Sequence, residues 1–423
     1  MQKTFTVVML FLVGLATRAQ TPPQTPVPAD YFGMHLGYPM DWPTVSVGAM
    51  GKGTGVGWPY IEQPSKGSYN WTRLDGHVQL AQNHRVHYLA ALGGCPCWAA
   101  PPAAQASCKT LYTGPRAWSG MVNDIQDWDD FITALVTHLK NKFPAVVDYE
   151  LWNEPDQGFT GTIADMVMLT THAYNIIRRI DPSAKIVAPS YTNPENLDAY
   201  YGGGGVRGVD VNSLHGYPDP KNDVPEAIGG FLSVPYKVVF TKYGIQNKPL
   251  WDTEGSWGNE SVGAITDSNQ QVAFVARYYL LHWSNGFTRL NWYAWEDSPG
   301  GWGFLLNAST HTLSPAATAF QQTYNWMVGA TMPSPGCVRV SSSSSSYDAM
   351  WTCSLTRSGG YKALAVWNTA GPSSYTPSSG YTQYRDLTGR VSRVIGPITI
   401  GVQPVLLEAD QPMPPAGLTA TVN

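Results

Sequence analysis

Apolar residues recur along most of this chain in two alternating rhythms. Short runs that read as buried strands occupy Tyr31 to His35, Lys52 to Trp58, Val86 to Leu92 and Val146 to Trp152. Four more follow at Ile186 to Pro189, Val211 to His215, Pro249 to Thr253 and Thr288 to Trp295. Between them the spacing becomes the i, i+3, i+4, i+7 pattern of a helix with one buried face. Trp128, Phe131, Ile132, Leu135, Val136 and Leu139 follow it. So do Met166, Leu169, Ala173, Ile176, Ile177 and Ile180, and then Val272, Val275, Ala276, Tyr279 and Leu280. Eight buried strands alternating with helices over residues 29–329 predict an α/β fold, a (β/α)8 TIM barrel. A doubly wound sheet is the alternative with the same alternation.

From about Ala330 the rhythm changes. Ser341 to Ser346 is a polar loop, and beyond it short strand-like segments are punctuated by Gly, Pro and Ser. They run over Ala349 to Leu355, Lys362 to Trp367, Tyr381 to Asp386, Val391 to Val394 and Val402 to Leu407. This pattern predicts a C-terminal antiparallel β-sandwich accessory domain over 330–411, then a flexible tail over 412–423. At the other end, Lys3, the apolar run Phe5 to Ala16 and the small-residue site Thr17-Arg18-Ala19 read as a signal peptide over 1–19. A Pro-rich linker over 20–28 follows. The apolar run falls short of the ~20 residues of a membrane span. A secreted or periplasmic protein with no membrane attachment after signal removal is therefore expected.

Export permits disulfides. Cys337 and Cys353 lie in a strand-rich region and are expected to pair, whereas Cys108 can bridge to either Cys95 or Cys97, leaving one thiol over. C-x-C without a nearby His lacks zinc spacing and no H-E-x-x-H occurs, so neither metal nor cofactor is expected. Charge narrows the partners further. Only 13% of residues are charged, against roughly 25% in an average protein. A net charge of −4 offers no basic surface to nucleic acid. Two glycine-rich stretches carry no nucleotide site: Gly53 follows Lys52 where a P-loop needs Ser or Thr, and Gly203 to Gly208 precedes a strand rather than following one.

In a barrel, catalytic groups sit at the carboxyl ends of the strands. The fourth predicted strand runs into Glu150-Leu151-Trp152-Asn153-Glu154-Pro155, and the seventh into Trp251-Asp252-Thr253-Glu254-Gly255. Strands four and seven lie nearly opposite, so each delivers a carboxylate across one cleft. Glycosidic cleavage requires such a pair, one to protonate the leaving oxygen and one to attack or activate water. Asp252 shares strand parity with Glu254 and competes for the second role. Asp148 and Glu150 share parity with Glu154 and read as inward polar groups held by hydrogen bonds.

The W-N-E-P run at Trp152 to Pro155 resembles the acid/base motif of the large retaining glycoside hydrolase clan with (β/α)8 barrels. Trp58-Pro-Tyr-Ile-Glu-Gln-Pro, Gly67-Ser-Tyr-Asn-Trp71, Leu74-Asp75, Pro96-Cys-Trp98-Ala and His215-Gly-Tyr217 agree with it in order and spacing. The stretch from Tyr31 to Met327 is most similar to glycoside hydrolase family 39. The resemblance implies Glu154 as acid/base, Glu254 as nucleophile and Asn153 on the sugar 2-hydroxyl. It further implies that His215 and Tyr217 steady the nucleophile and that Trp295 floors the sugar subsite. A carboxyl separation of roughly 5–5.5 Å would give retention, and one near 9 Å inversion. One departure stands out: many clan members carry an Arg or Arg-x-His group near the end of strand two, where Gly53-Thr54-Gly55-Val56-Gly57 here has none.

Aromatics make up 12% of the chain, and indole faces stack on the C–H faces of sugars. Trp42, Trp58, Trp98, Trp118, Trp257, Trp295 and Trp302 fall at predicted strand ends or in the loops after them, with packing expected to claim about half. Trp58, Trp98, Trp295 and Trp302 are the substrate-binding candidates, whereas Trp128, Trp283 and Trp326 lie on helices and read as core. The expected partner is a plant or microbial poly- or oligosaccharide. A non-catalytic carbohydrate-binding barrel and a transglycosylase are the alternatives. Sugar, linkage, anomer, endo or exo action and oligomeric state stay open.

Overall fold

The computed structural model describes residues 21–37, 41–53, 55–111, 115–218, 224–258, 265–296, 303–307, 310–340 and 350–409. The expected signal peptide, the serine run and the tail lie outside them. Eight parallel strands form one sheet: β1 (Phe32–Met34), β2 (Ala49–Met50), β3 (His87–Ala91), β4 (Val147–Glu150), β5 (Ile186–Val187), β6 (Asn212–His215), β7 (Leu250–Gly255) and β8 (Phe287–Trp292). Each strand from β1 to β5 and from β6 to β8 pairs with its neighbour in chain order, and β1 pairs with β8. A bridge between Val187 and Val211 brings β5 against β6, so the sheet closes into a barrel. Leu89, Val187, Val211 and Trp251 fill its interior, with the Arg289 guanidinium 3.7 Å from the Trp251 ring.

A helix of nine residues or more follows each strand from β2 onward: α1 (Thr72–Asn83), α2 (Ile125–Lys142), α3 (Ile163–Ile180), α4 (Pro194–Gly202), α5 (Val234–Lys242), α6 (Ser268–Ser284) and α7 (Pro315–Met327). Five of these starts are fixed by side-chain oxygens that satisfy otherwise unpaired backbone N–H groups. Asp124, Asn193, Asp267 and Ser314 act this way, and Thr162 forms a capping box with Asp165. The apolar stripes on α2 and α3 are buried as the sequence predicts, and Trp128, Trp283 and Trp326 are core. Helix α6 departs from its predicted single face, because every residue from Val272 to Ser284 is buried.

The C-terminal region explains why. Its strands are β9 (Cys337–Arg339), β10 (Met350–Thr356), β11 (Lys362–Asn368), β12 (Ser373–Tyr375), β13 (Gln383–Arg385), β14 (Val391–Arg393), β15 (Ile398–Ile400) and β16 (Val405–Glu408). An antiparallel sheet of order β9-β10-β11-β16-β13-β14 and a β12–β15 pair form the β-sandwich. The six-stranded sheet sits over the outside of α6. Cys337 N donates to Ser284 Oγ at 2.8 Å. Arg277 of α6 makes a buried two-pronged pair with Glu226, its Nε 2.6 Å from Oε1. Trp367 of β11 adds an indole N–H on the same carboxylate at 2.7 Å, and Trp351 stacks parallel to Trp367. A helix covered on both sides needs no polar face.

Cys337 pairs with Cys353 and Cys97 with Cys108, which settles the open choice and leaves Cys95 as the buried free thiol. Among the described residues no helix is long and apolar enough to cross a membrane.

Candidate active site

The second strand is the one strand that sequence rhythm misplaced, and the displacement matters. It is Ala49–Met50, not Lys52 to Trp58. Its end therefore delivers Lys52 to the barrel mouth, while Trp58 begins a separate short helix, Trp58–Ile61. The glycines around Lys52 are required by close approach rather than by strand structure. A Cβ on Gly51 would stand 2.6 Å from the His35 ring, and one on Gly53 2.4 Å from the His77 ring.

At the end of β4, Asn153 N donates to Leu92 O at 3.1 Å and Glu154 N to Ser190 O at 3.1 Å, tying the segment to both neighbouring strands. Glu154 is left-handed (φ 47°), and Pro155 then opens a short helix, Pro155–Gly158. Non-glycine residues hold that conformation at a cost of about 1–3 kcal/mol, and such residues cluster at functional sites. The Trp152 ring is core, packed against Trp128 and Phe159.

At the end of β7 the ladder to β6 pairs Asp252 with Leu214 and Glu254 with His215, so Thr253 is an extra residue. This β-bulge breaks the strand's two-residue parity. Asp252 consequently faces outward, fully buried, where Gly216 N (3.0 Å), His282 Nε2 (2.9 Å) and Tyr278 Oη (3.2 Å) surround its carboxylate. Thr253 turns inward onto Ser190 Oγ at 2.7 Å. Glu254 turns to the mouth. The expectation that Asp252 and Glu254 share a face fails for this reason, and Asp252 is a structural anchor of α6.

The groups brought together are Lys52, Asn153, Glu154, His215, Tyr217 and Glu254. Glu154, His215 and Glu254 each place a ligating atom within 4.8 Å of the others. His215 Nδ1 lies 2.8 Å from Glu154 Oε1 and 4.0 Å from Glu254 Oε2. Its Nε2 is 3.7 Å from Glu150 Oε1. Tyr217 Oη donates to Glu254 Oε1 at 2.9 Å, and Lys52 Nζ is 2.5 Å from Glu254 Oε2 and donates to Asn153 Oδ1. Glu150 and Asp148 are buried inside the barrel, where Glu150 accepts from Thr253 Oγ1 at 3.4 Å and Asp148 from Lys185 N at 3.4 Å.

Charge within this cluster is arranged around Glu254. Burial would raise its pKa, but Lys52, His215 and His35 together hold it well below the usual carboxylate range. Burial keeps the Tyr217 phenol protonated, with the Glu254 charge acting in the same direction, so it stays a donor. Burial opposes a charge on His215, yet the Glu254, Glu150 and Glu154 carboxyl groups raise its pKa to about 10. Glu154, His215 and Glu254 are the described residues whose donor atoms converge as a metal's ligands would. With His215 protonated and the Lys52 ammonium on Glu254, two positive charges already face these oxygens and repel a divalent cation.

The raised His215 pKa has a consequence for stability. Its folded value of about 10 lies above the ordinary 6.5, so its contribution is complete below pH 6.5 and is lost as pH rises through about 10. In that window one extra bound proton gives a slope of up to about 1.4 kcal/mol per pH unit. Urea midpoints measured across it should fall more steeply for the wild type than for His215→Gln.

The aromatic rim differs from expectation at two places. Trp58 is 1% exposed, stacked on Phe131 with its N–H on Glu62 Oε2, and Trp295 is 1% exposed. Neither offers a face to a ligand, because the strands end earlier than the apolar rhythm suggests. Strand β8 ends at Trp292, which puts the partly exposed Tyr293 at the mouth, 5.2 Å from the His35 ring. Trp257 is also buried, whereas Trp42, Trp98 and Trp118 are partly exposed. Trp302 lies outside the described residues. Lys52, His35 and Tyr293 are the residues that sequence reasoning missed. Each directly follows a strand or sits one residue beyond it, which is the signal that correct strand ends would have supplied.

This arrangement defines a TIM barrel with paired carboxylates at its carboxyl-terminal mouth. No protein-family model matches the chain, and no curated protein matches it in sequence. Solved structures do match in fold. A glucosidase from Croceicoccus marinus aligns with TM-score 0.62 at 13% identity, over 92% of this chain and 97% of that one. The α-L-arabinofuranosidase from Thermotoga maritima aligns with TM-score 0.58 at 11% identity, over 91% and 97%. The catalytic domain of the GH30 xylanase C from Talaromyces cellulolyticus aligns with TM-score 0.57 at 14% identity, over 92% and 99%. These likenesses are of fold, spanning barrel and β-sandwich together.

Proposed function

We propose that this chain is a secreted retaining glycoside hydrolase, akin to glycoside hydrolase family 39, that cleaves O-glycosidic bonds by double displacement. The observation that carries the proposal is the meeting of carboxyl oxygens of Glu154 and Glu254 within 4.8 Å of each other at the barrel mouth. Inversion needs roughly 6.5–9.5 Å to seat a water between the acids, whereas retention uses about 5–5.5 Å. Glu254, ionised by its neighbours, attacks the anomeric carbon while Glu154 protonates the departing oxygen. Water then attacks the same carbon with Glu154 as base, and Glu254 leaves. Asn153 bonds the sugar 2-hydroxyl, Tyr217 holds Glu254 Oε1, and His215 orients Glu154. Trp98, Trp118 and Tyr293 supply partly exposed rings for sugar faces, consistent with a neutral, hydroxyl-rich plant or microbial saccharide. The two disulfides support export.

The names of the similar folds order a first screen: glucosides, xylan and arabinofuranosides. With a cleaved substrate in hand, proton NMR of the first-formed product is expected to show the anomeric configuration of the substrate. Inversion would remove Glu254 as nucleophile, and saccharide binding without turnover would favour a carbohydrate-binding barrel.

A further inference from the structure

Lys52 has no part in the reaction as drawn above, yet its place is specific. Its ammonium contacts Glu254 Oε2 at 2.5 Å and donates to Asn153 Oδ1. Tyr217 holds the other Glu254 oxygen at 2.9 Å. One oxygen therefore faces a neutral donor and the other a cation. An ammonium is a compact point charge on a flexible stem, and its hydrogen bond to a carboxylate is stronger than a neutral one. The side chain is 22% exposed, so solvent screens the pair only in part.

A cation against a carboxylate lowers its basicity. Lower basicity makes a group a weaker nucleophile and a better leaving group, and a double displacement asks Glu254 to be each in turn. In the first half, a Glu254 oxygen bonds to the anomeric carbon as the bond to the leaving oxygen breaks, and that oxygen takes the Glu154 proton. In the second, water bonds to the anomeric carbon and gives its proton to Glu154. The bond to Glu254 then breaks, and its electron pair returns to the carboxylate. The negative charge that Lys52 faces is thus lost in the ester and regained only in the second half.

We propose that Lys52 is a positioning residue that acts through Glu254 to speed release of the sugar from the glycosyl-enzyme. By occupying Asn153 Oδ1 it also leaves the amide hydrogens of Asn153 for the sugar 2-hydroxyl. The inference rests on the double-displacement reading. It deepens that reading by dividing the two half-reactions between charges: Glu154 governs the departure of the aglycone, and Lys52 the departure of Glu254. The strand-two end, which lacks an arginine, supplies a cation one residue earlier.

Lys52→Gln keeps a donor and much of the reach and removes the charge. In stopped-flow with an aryl glycoside that the wild type cleaves with retention, this variant is expected to release a burst of phenol approaching one equivalent per enzyme. Its kcat should fall about 10- to 100-fold, the worth of a charged hydrogen bond. KM should fall in parallel, so that kcat/KM changes far less than kcat. Intact mass should show a sugar adduct, and peptic digestion at low pH should place it on the peptide containing Glu254. Lys52→Cys alkylated with 2-bromoethylamine restores an ammonium at nearly the same reach and should recover kcat and lose the burst. A parallel fall of kcat and kcat/KM with no burst or adduct overturns the proposal. So does an alkylated variant that keeps the wild-type denaturation midpoint and stays slow. Failure of the wild type to give retained product from any substrate is a separate outcome, which removes the double-displacement reading and this inference with it.

Discussion

With Glu254 as the proposed nucleophile, Glu254→Gln is expected to lower turnover of the best substrate by on the order of 10⁴-fold or more, because an amide can neither attack the anomeric carbon nor leave from it. The loss should be nearly independent of the leaving group. Glu154→Ala behaves differently. It should cost about 10²–10⁴-fold on substrates whose departing oxygen needs a proton, and far less on dinitrophenyl glycosides, whose leaving group needs none. Adding azide to Glu154→Ala should then restore turnover as a glycosyl azide of retained configuration, since azide attacks the glycosyl-enzyme without a general base. The same azide should do nothing of that kind for Glu254→Gln. Steady-state rates on a leaving-group series, with and without azide, check both halves. Equal cleavage by the wild type and Glu254→Gln would remove the assignment.

The largest expected loss of stability lies far from the mouth. Arg277→Ala should destabilise the protein by about 3–5 kcal/mol, the cost of stranding one partner of a buried ion pair. Glu226 has no exposed side-chain surface and, among the described residues, would keep the Trp367 indole N–H as the one donor to its carboxylate. Because Trp367 belongs to the C-terminal sheet and Arg277 to α6, the loss should appear as one lowered transition, the barrel and the sheet melting together. Denaturant unfolding followed by near-ultraviolet circular dichroism and by far-ultraviolet signal tests this. A midpoint within about 0.5 kcal/mol of wild type, typical of surface substitutions, would show that the pair is dispensable.

Much of the fold was legible because burial in a barrel imposes rhythm. Six of the eight barrel strands fall within a residue or two of where apolar runs place them, β8 ends three residues early, and the stripes on α2 and α3 are the buried faces. The misplaced strand, β2, is two residues long, too short to announce itself beside a longer glycine-rich run. That error hid Lys52 and promoted Trp58. In the C-terminal region β9, β12 and β15 went unseen, whereas β13 and β14, equally short, fall inside predicted segments. Glu154 and Glu254 were legible from strand ends and from resemblance. The contrast between Asp252 and Glu254 was not, because a bulge is set by pairing with the neighbouring strand and leaves no mark in composition. The full burial of α6 was likewise invisible, since it depends on a sheet contributed by residues far along the chain.

The bulge at Thr253 also bears on which changes of length the chain can accept. Most loops of such a barrel can gain or lose residues with little consequence for what they flank. In strand β7 the pairing register itself sets which way the last acid faces. An unbulged strand of this length would set Thr253 opposite His215 and turn Glu254 to the side of Asp252, behind the sheet, whereas loss of Thr253 would leave both acids in register and cost the contacts of its hydroxyl with Ser190 and of its carbonyl with His35. In this segment the place of one unpaired residue decides which carboxylate reaches the cleft.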